Sequence, residues 1–145
     1  MLIIKTTMRI LTRLTLVLPA VCALALTASA QNAAKPLPPA ATKTGVTYAG
    51  DLKAILDKSC VKCHSGDKPK NKLKLDTLEG ILAGGRDGKV VIVGDSAKSV
   101  IVQAAAHTTE DSDEWMPPAK DAANYPALTA EQVGLLRAWI DQGAK

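Results

Sequence analysis

Five consecutive residues, Cys60-Val61-Lys62-Cys63-His64, bring together the side chains whose types and spacing best define a chemistry. Two thiols three positions apart can each add to a vinyl group on one edge of a porphyrin. The histidine beside the second thiol then lies under the iron as an axial ligand. The pattern occurs once in the chain, so it predicts one covalently attached haem c. Its attachment residues are Cys60 and Cys63, and its proximal iron ligand is His64.

A second axial ligand must come from elsewhere in the chain. The two other methionines lie near the N-terminus in a predicted signal segment, which leaves Met116 as the only methionine of the mature protein. Two prolines follow it and favour a stiff, extended backbone that can hold a thioether in place. Sulfur also favours ferrous iron. Met116 is therefore the favoured distal ligand, and His107, the only other histidine, is the alternative.

The N-terminal segment is typical of an export signal. Basic residues at positions 5, 9 and 13 precede an apolar stretch from Leu14 to Leu26, and Ala28-Ser29-Ala30 is the small-residue pattern that signal peptidase requires. The stretch is shorter than the roughly 20 residues of a membrane-spanning helix. We therefore expect cleavage after Ala30 and a periplasmic protein, with membrane attachment only if the segment stays uncleaved. Cys22 leaves with the signal, so both remaining cysteines belong to the haem motif.

The remaining chain is predicted to hold one linker and one domain. Residues 31–45 are rich in proline and alanine, which is typical of a flexible tether, and residues 46–145 fit a single small domain. Three of the 18 basic residues are lost with the signal. The remaining 15 basic residues are nearly balanced by 14 acidic residues, so the net charge of the mature chain is close to zero. The sequence also lacks a basic stripe interleaved with aromatic residues. We therefore exclude nucleic acid as a partner.

Two amphipathic helices are predicted near the ends of this domain. The first leads directly into the haem motif and has apolar residues at i, i+3 and i+4, namely Leu52, Ile55 and Leu56. The last begins at a capping box formed by Thr129 and Gln132. Its apolar face consists of Val133, Leu136 and Ile140. The two helices can pack on each other, and the overall pattern predicts an all-α fold.

Shorter elements are expected between these helices. Asp76 is the expected N-cap of one short helix, which Gly84 and Gly85 end, and Asp95 or Ser96 is the expected cap of another. The β-branched residues within positions 89–93 favour a brief extended segment. A long loop over positions 107–128 carries Met116. Loops of this length in small domains usually have a function.

The order of these motifs resembles the planctomycete-type cytochrome c domain. The resemblance rests on the haem motif together with Leu73-Lys74-Leu75-Asp76, Gly84-Gly85, Val93-Gly94-Asp95, Met116-Pro117-Pro118 and the run from Leu136 to Ala144. It implies a small cytochrome c-like helical domain wrapped around one haem, with long loops and with its terminal helices packed together. It also implies iron ligation by His64 and Met116 and a separate redox partner protein, such as a dehydrogenase, an oxidase or another cytochrome.

The favoured hypothesis is a periplasmic single-haem electron carrier that is not an enzyme. One alternative is a haem enzyme or sensor with a labile sixth ligand, although the chain shows no distal acid–base set for peroxidase chemistry. Another is an exported thiol oxidoreductase that uses Cys60 and Cys63, although no βαβ pattern is present. A structural zinc site is disfavoured because it lacks an obvious fourth ligand.

Lysines cluster in sequence around the haem motif, and two interpretations of them stay open. The cluster consists of Lys58, Lys62, Lys68, Lys70, Lys72 and Lys74. Near an exposed haem edge these residues would steer an acidic redox partner and raise its association rate. They are equally compatible with an ordinary solvated loop.

Overall fold

A computed structural model describes residues 35–145 of the chain, and within this range every regular element is a helix. The α-helices are α1 (Lys53–Ser59), α2 (Leu78–Ala83), α3 (Val100–Ala105) and α4 (Ala130–Asp141). A π-helical turn over Tyr48–Leu52 leads into α1, and short 3₁₀ turns cover Lys70–Lys72, Ser112–Glu114 and Ala119–Asp121. The predicted all-α fold is confirmed. The predicted signal segment, residues 1–30, lies outside the described residues.

The first helical segment packs against the last helix. The rings of Tyr48 and Trp139 lie with their centroids 6.4 Å apart and are tilted by 50°. The main-chain oxygen of Lys145 accepts hydrogen bonds from the Tyr48 amide at 3.0 Å and from the Trp139 indole at 2.8 Å. Both aromatic residues are buried. The terminal segments of the domain are therefore packed together, and the π-helical turn before α1 makes the contact with α4.

A single aliphatic core joins the four α-helices. Trp139 is its largest fully buried side chain, and the others of similar burial are Leu52, Ile81, Leu136, Ile140, Val102 and Val133. Burial of each such aliphatic side chain stabilises the fold by about 1.5–3 kcal/mol. The core borders the cavity described below, because Leu56, Ile101 and Ala105 belong to the core and also line that cavity.

Helix α1 ends at the first thiol. Leu52 and Leu56 lie one helical turn apart and are both buried, as their spacing predicts. The Cys60 amide still donates to the Leu56 carbonyl at 2.8 Å, but the Cys60 backbone leaves the helical region at φ −128°. The packed helix therefore fixes the position of Cys60.

The two short helices begin later than the sequence predicts. Thr77, not Asp76, caps α2, since its hydroxyl oxygen accepts a hydrogen bond from the Gly80 amide at 3.0 Å. Helix α3 begins after Ser99, and Ser96 is engaged elsewhere: its amide and hydroxyl donate to the Asp141 carboxylate at 2.8 and 2.9 Å. A partner distant in sequence therefore displaces the local cap. The extended segment expected over positions 89–93 forms no strand.

Helix α4 begins as predicted. The Thr129 hydroxyl accepts a hydrogen bond from the Gln132 amide at 3.3 Å, and the Gln132 side chain accepts one from the Thr129 amide at 2.9 Å. The predicted capping box is confirmed. Gly143 follows the helix at φ 103°, a backbone conformation that glycine adopts without strain.

Part of the predicted linker lies against α4. The Ala41 amide donates to the Gly134 carbonyl at 2.9 Å, and the Arg137 guanidinium donates to the Pro38 carbonyl. Leu37 and Ala41 also contact the core. Residues 37–41 therefore belong to the packed body and are not a free tether, whereas the predicted boundaries at positions 30 and 45 stay predictions.

None of the helices within residues 35–145 has the length and apolar character needed to cross a membrane.

The substitution Gly134→Ala tests the packing of residues 37–41. In a helix interior this change usually stabilises by roughly 0.5–1 kcal/mol. Here the new Cβ would lie 2.8 Å from the Pro39 carbonyl oxygen. We therefore expect a lower free energy of unfolding, by about 1–3 kcal/mol, in denaturant titrations of the intact protein. A more stable variant would show that this segment does not rest on α4.

Candidate functional site

A cavity of about 550 Å³ opens beside α1 and α3. Its volume falls within the roughly 300–1,000 Å³ typical of cofactor sites. The four residues singled out from the sequence, Cys60, Cys63, His64 and Met116, all line it. The structure therefore brings the haem motif and Met116 to one cavity, although they are more than 50 positions apart in sequence.

The haem motif forms a tight turn at the end of α1. The amides of Cys63 and His64 both donate to the Cys60 carbonyl at 3.1 Å, and the His64 amide also lies 3.1 Å from the Val61 carbonyl. This turn places two thiols and one imidazole on the same cavity wall. Its compactness follows from the two-residue spacing between the cysteines.

The His64 ring is held from behind. Its Nδ1 lies 3.3 Å from the Leu73 carbonyl oxygen, so the tautomer with a proton on Nδ1 donates there and leaves Nε2 free to bind a metal. The ring is buried, and burial lowers the pKa of His64 against the opposing effect of the Leu73 hydrogen bond. The neutral ring is the form that binds iron.

The segment that carries Leu73 is itself fixed to the N-terminal part of the fold. The Leu75 amide donates to the His64 carbonyl at 2.8 Å. The Leu75 carbonyl accepts a hydrogen bond from the buried Tyr48 hydroxyl at 3.0 Å. Tyr48 thus supports the proximal ligand through one intervening residue. Sequence reasoning missed this role, because a tyrosine 16 positions before the histidine carries no local signal.

Cys60 and Cys63 are half-buried and are not joined by a disulfide bond. Burial raises the pKa of the Cys60 thiol to about 12, and the neighbouring Cys63 acts in the same direction. A thiol oxidoreductase needs a thiol that is readily deprotonated. The apolar environment of Cys60 suits a neutral thioether better.

The long loop contributes Met116 to the cavity wall. The Met116 amide donates to the Ala104 carbonyl near the end of α3 at 3.1 Å, and the Met116–Pro117 peptide bond is cis. Met116 is half-buried, and both following prolines line the cavity. The methionine therefore reaches the cavity from a backbone that is tied to α3.

The cavity has an apolar interior and a charged rim. Its aliphatic lining residues are Leu56, Leu73, Leu75, Val90, Val100, Ile101, Ala104, Ala105 and Leu128. Its basic residues are Lys70, Arg86 and Lys89, and its acidic ones are Asp87, Asp113, Glu114 and Asp121. A flat apolar porphyrin with anionic carboxylates fits such a lining. The sequence had pointed to Lys70 within the lysine cluster but not to Arg86 or Lys89.

His107, the alternative distal ligand, does not line the cavity. Its ring stacks on Trp115, with centroids 5.0 Å apart and an angle of 6° between the planes. Its placement therefore gives the alternative no support. Within residues 35–145, no group of three His, Cys, Asp or Glu side chains is arranged to hold a metal ion by itself.

Residues 60–120 match the family model described as planctomycete cytochrome C. The matched range begins at the first thiol and contains Met116, so the predicted resemblance is confirmed over the part of the chain that carries all four candidate residues. Over this range the chain is similar to planctomycete cytochrome c, and that family implies covalently bound haem c.

The chain has similarity to solved structures, among them a hydrazine synthase. The hydrazine synthase of Kuenenia stuttgartiensis aligns with 68% of the chain at 20% sequence identity and a TM-score of 0.47. The alignment covers only 16% of that protein's own chain. Similarity at this level carries no inference about activity. No curated protein matches the chain.

The support that Tyr48 gives to the proximal side can be tested with Tyr48→Phe. The change removes one hydroxyl and leaves the buried Leu75 carbonyl without its donor, so we expect a loss of about 1–3 kcal/mol in the free energy of unfolding. Tyr125→Phe is the matched control, because within residues 35–145 no hydrogen bond is found for the Tyr125 hydroxyl. Equal stabilities for the two variants would contradict the support.

Proposed function

We propose that this protein is a periplasmic electron carrier with one haem, attached through Cys60 and Cys63 and ligated by His64 and Met116. The observation that carries the proposal is the convergence of these four residues on one cavity of cofactor size. The family match supports the cofactor. The family match does not extend further. We add to it the ligand set, the single haem, the electron-carrier role and the location.

The chain's residues would act on the iron from both sides. Bound haem supplies an iron that exchanges one electron between its ferric and ferrous states. The Leu73 carbonyl orients the His64 ring and makes its Nε2 a better donor. A thioether from Met116 favours the ferrous state and raises the potential. The aliphatic lining excludes water, which also tunes the potential.

A carrier fits the cavity better than an enzyme or sensor does. An enzyme needs an open iron position and acid–base groups near it. Met116 lines the same cavity as His64, so as a sixth ligand it would leave no open iron position for a substrate or gas. The second candidate, a haem protein with a labile sixth ligand, applies if Met116 does not bind.

The proposed location rests on the N-terminal sequence. The basic residues, apolar stretch and small-residue cleavage pattern of residues 1–30 favour export and cleavage after Ala30. Once the signal is removed, the chain has no cysteine outside the haem motif, which also suits an oxidising compartment.

The proposed partners are other redox proteins, and the charges at the cavity rim support this. Lys70, Arg86 and Lys89 contribute positive charge, whereas Asp113, Glu114 and Asp121 contribute negative charge. Asp87 also lines the cavity and pairs with Arg86 at 3.1 Å, so the rim carries charges of both signs. Such a rim can orient a partner of complementary charge and accelerate association at low salt. The proposal includes no nucleic acid partner.

Absorption spectra of protein exported from a cytochrome-producing host test the proposed ligation. Met116→Ala and Met116→Leu should both abolish the long-wavelength iron–sulfur charge-transfer band of the ferric protein. The reduction potential should fall by a sizeable part of the roughly 0.8 V range that axial ligands span. Met116→Leu is the control for packing, because it keeps the side-chain volume and removes only the sulfur.

Unchanged spectra and potential in both variants would contradict ligation by Met116. Ready binding of carbon monoxide or azide by the unmodified protein would favour the enzyme or sensor alternative. A colourless, folded product would favour the thiol oxidoreductase.

A further inference from the structure

The loop that leads to Met116 is closed at its base by one carbonyl group. The Ala104 oxygen accepts hydrogen bonds from the His107 amide at 3.2 Å and from the Met116 amide at 3.1 Å. The two ends of residues 107–116 therefore meet at the end of α3. Such a loop can open when these two hydrogen bonds break and water takes their place. Further contacts therefore decide how firmly the methionine is held.

His107 ends α3 in a conformation that its side chain does not favour. Its backbone lies at φ 54°, in the left-handed region where Gly or Asn is preferred. The next amide, that of Thr108, donates to the Gln103 carbonyl at 3.1 Å, as at many helix ends. Helix termination alone would therefore favour Asn or Gly at position 107, and the imidazole needs another explanation.

The face of the His107 ring makes a stacking contact. The ring stacks on Trp115 almost in parallel, and Trp115 immediately precedes Met116. The Trp115 indole is fixed in turn, because its Nε1 donates to the Thr109 carbonyl at 3.2 Å. The His107 Nε2 is buried without a hydrogen-bond partner among residues 35–145. The stack therefore joins the first residue of the loop to the residue beside the methionine.

Resting on the proposed ligation by Met116, we propose that His107 is a positioning residue for that methionine. Its ring face holds Trp115 against the start of the loop, and the closed loop keeps the Met116 thioether at the cavity. Neither His107 nor Trp115 lines the cavity, so both act from outside the haem site. Loss of the stack should raise the fraction of molecules in which the loop opens and the sixth position is free.

The substitution His107→Asn separates this role from a purely structural one. Asn accepts the left-handed backbone, so thermal stability should be preserved or increased, whereas the stack is lost. We expect imidazole to associate with the ferric protein roughly two- to tenfold faster, the change that loss of one aromatic pair gives to an opening equilibrium. The iron–sulfur band should also weaken at lower temperature than in the unmodified protein.

Two further variants test the ring face itself. His107→Phe keeps a stacking ring without nitrogens and should restore slow imidazole association. Trp115→Leu removes the other half of the stack and should resemble His107→Asn. The double variant His107→Asn/Trp115→Leu should add little to Trp115→Leu alone, because that single change already breaks the stack.

The positioning role would be overturned if His107→Asn bound imidazole at the rate of the unmodified protein. If Met116→Ala lost the iron–sulfur band in the same experiments, the proposed ligation would remain intact. Fast association in a folded His107→Phe variant would overturn the positioning role as well, since the ring nitrogens would then be responsible. An unaltered band in Met116→Ala would remove the proposed ligation and this inference with it.

Discussion

The arrangement of this protein depends on one geometric constraint. Two thiols and an imidazole, confined to five consecutive residues, must face the same cavity as a methionine more than 50 positions later. Helix α1 positions the haem motif, since its buried face fixes the position of Cys60. Helix α3 positions Met116, since the Ala104 carbonyl accepts a hydrogen bond from the Met116 amide. The core that joins α1 and α3 therefore sets the distance between the two proposed iron ligands.

The contacts of His64, the proposed proximal ligand, connect this constraint to both terminal segments of the domain. Leu73 receives the imidazole Nδ1, Leu75 binds the His64 main chain, and the Tyr48 hydroxyl binds Leu75. Tyr48 also packs on Trp139 of helix α4. The terminal helices therefore do more than close the core, because they support the segment that orients the histidine.

Features with short-range causes could be predicted from the sequence. The haem motif, the capping box at Thr129 and Gln132, and the apolar face of α1 each depend on residues within one or two helical turns. The candidate residue Met116 followed by elimination, since no other methionine remains in the mature chain. The structure places it at the cavity, where the prediction requires it.

Features that depend on partners distant in sequence could not be predicted. Ser96 looked like a helix cap but is bound by Asp141, and the proline-rich residues 37–41 looked free but contact α4. His107 was the alternative ligand by residue type, whereas its ring stacks on Trp115 at the end of α3. Each of these outcomes is decided by packing between segments, which local propensity does not encode.

The intact mass of the mature protein, purified from a host that produces c-type cytochromes and treated with a thiol alkylating reagent, tests the central claim most directly. The account predicts the mass of the processed chain plus one haem, with neither cysteine alkylated. The mass of the bare chain carrying two alkyl groups would show that Cys60 and Cys63 hold no haem, and it would contradict the account.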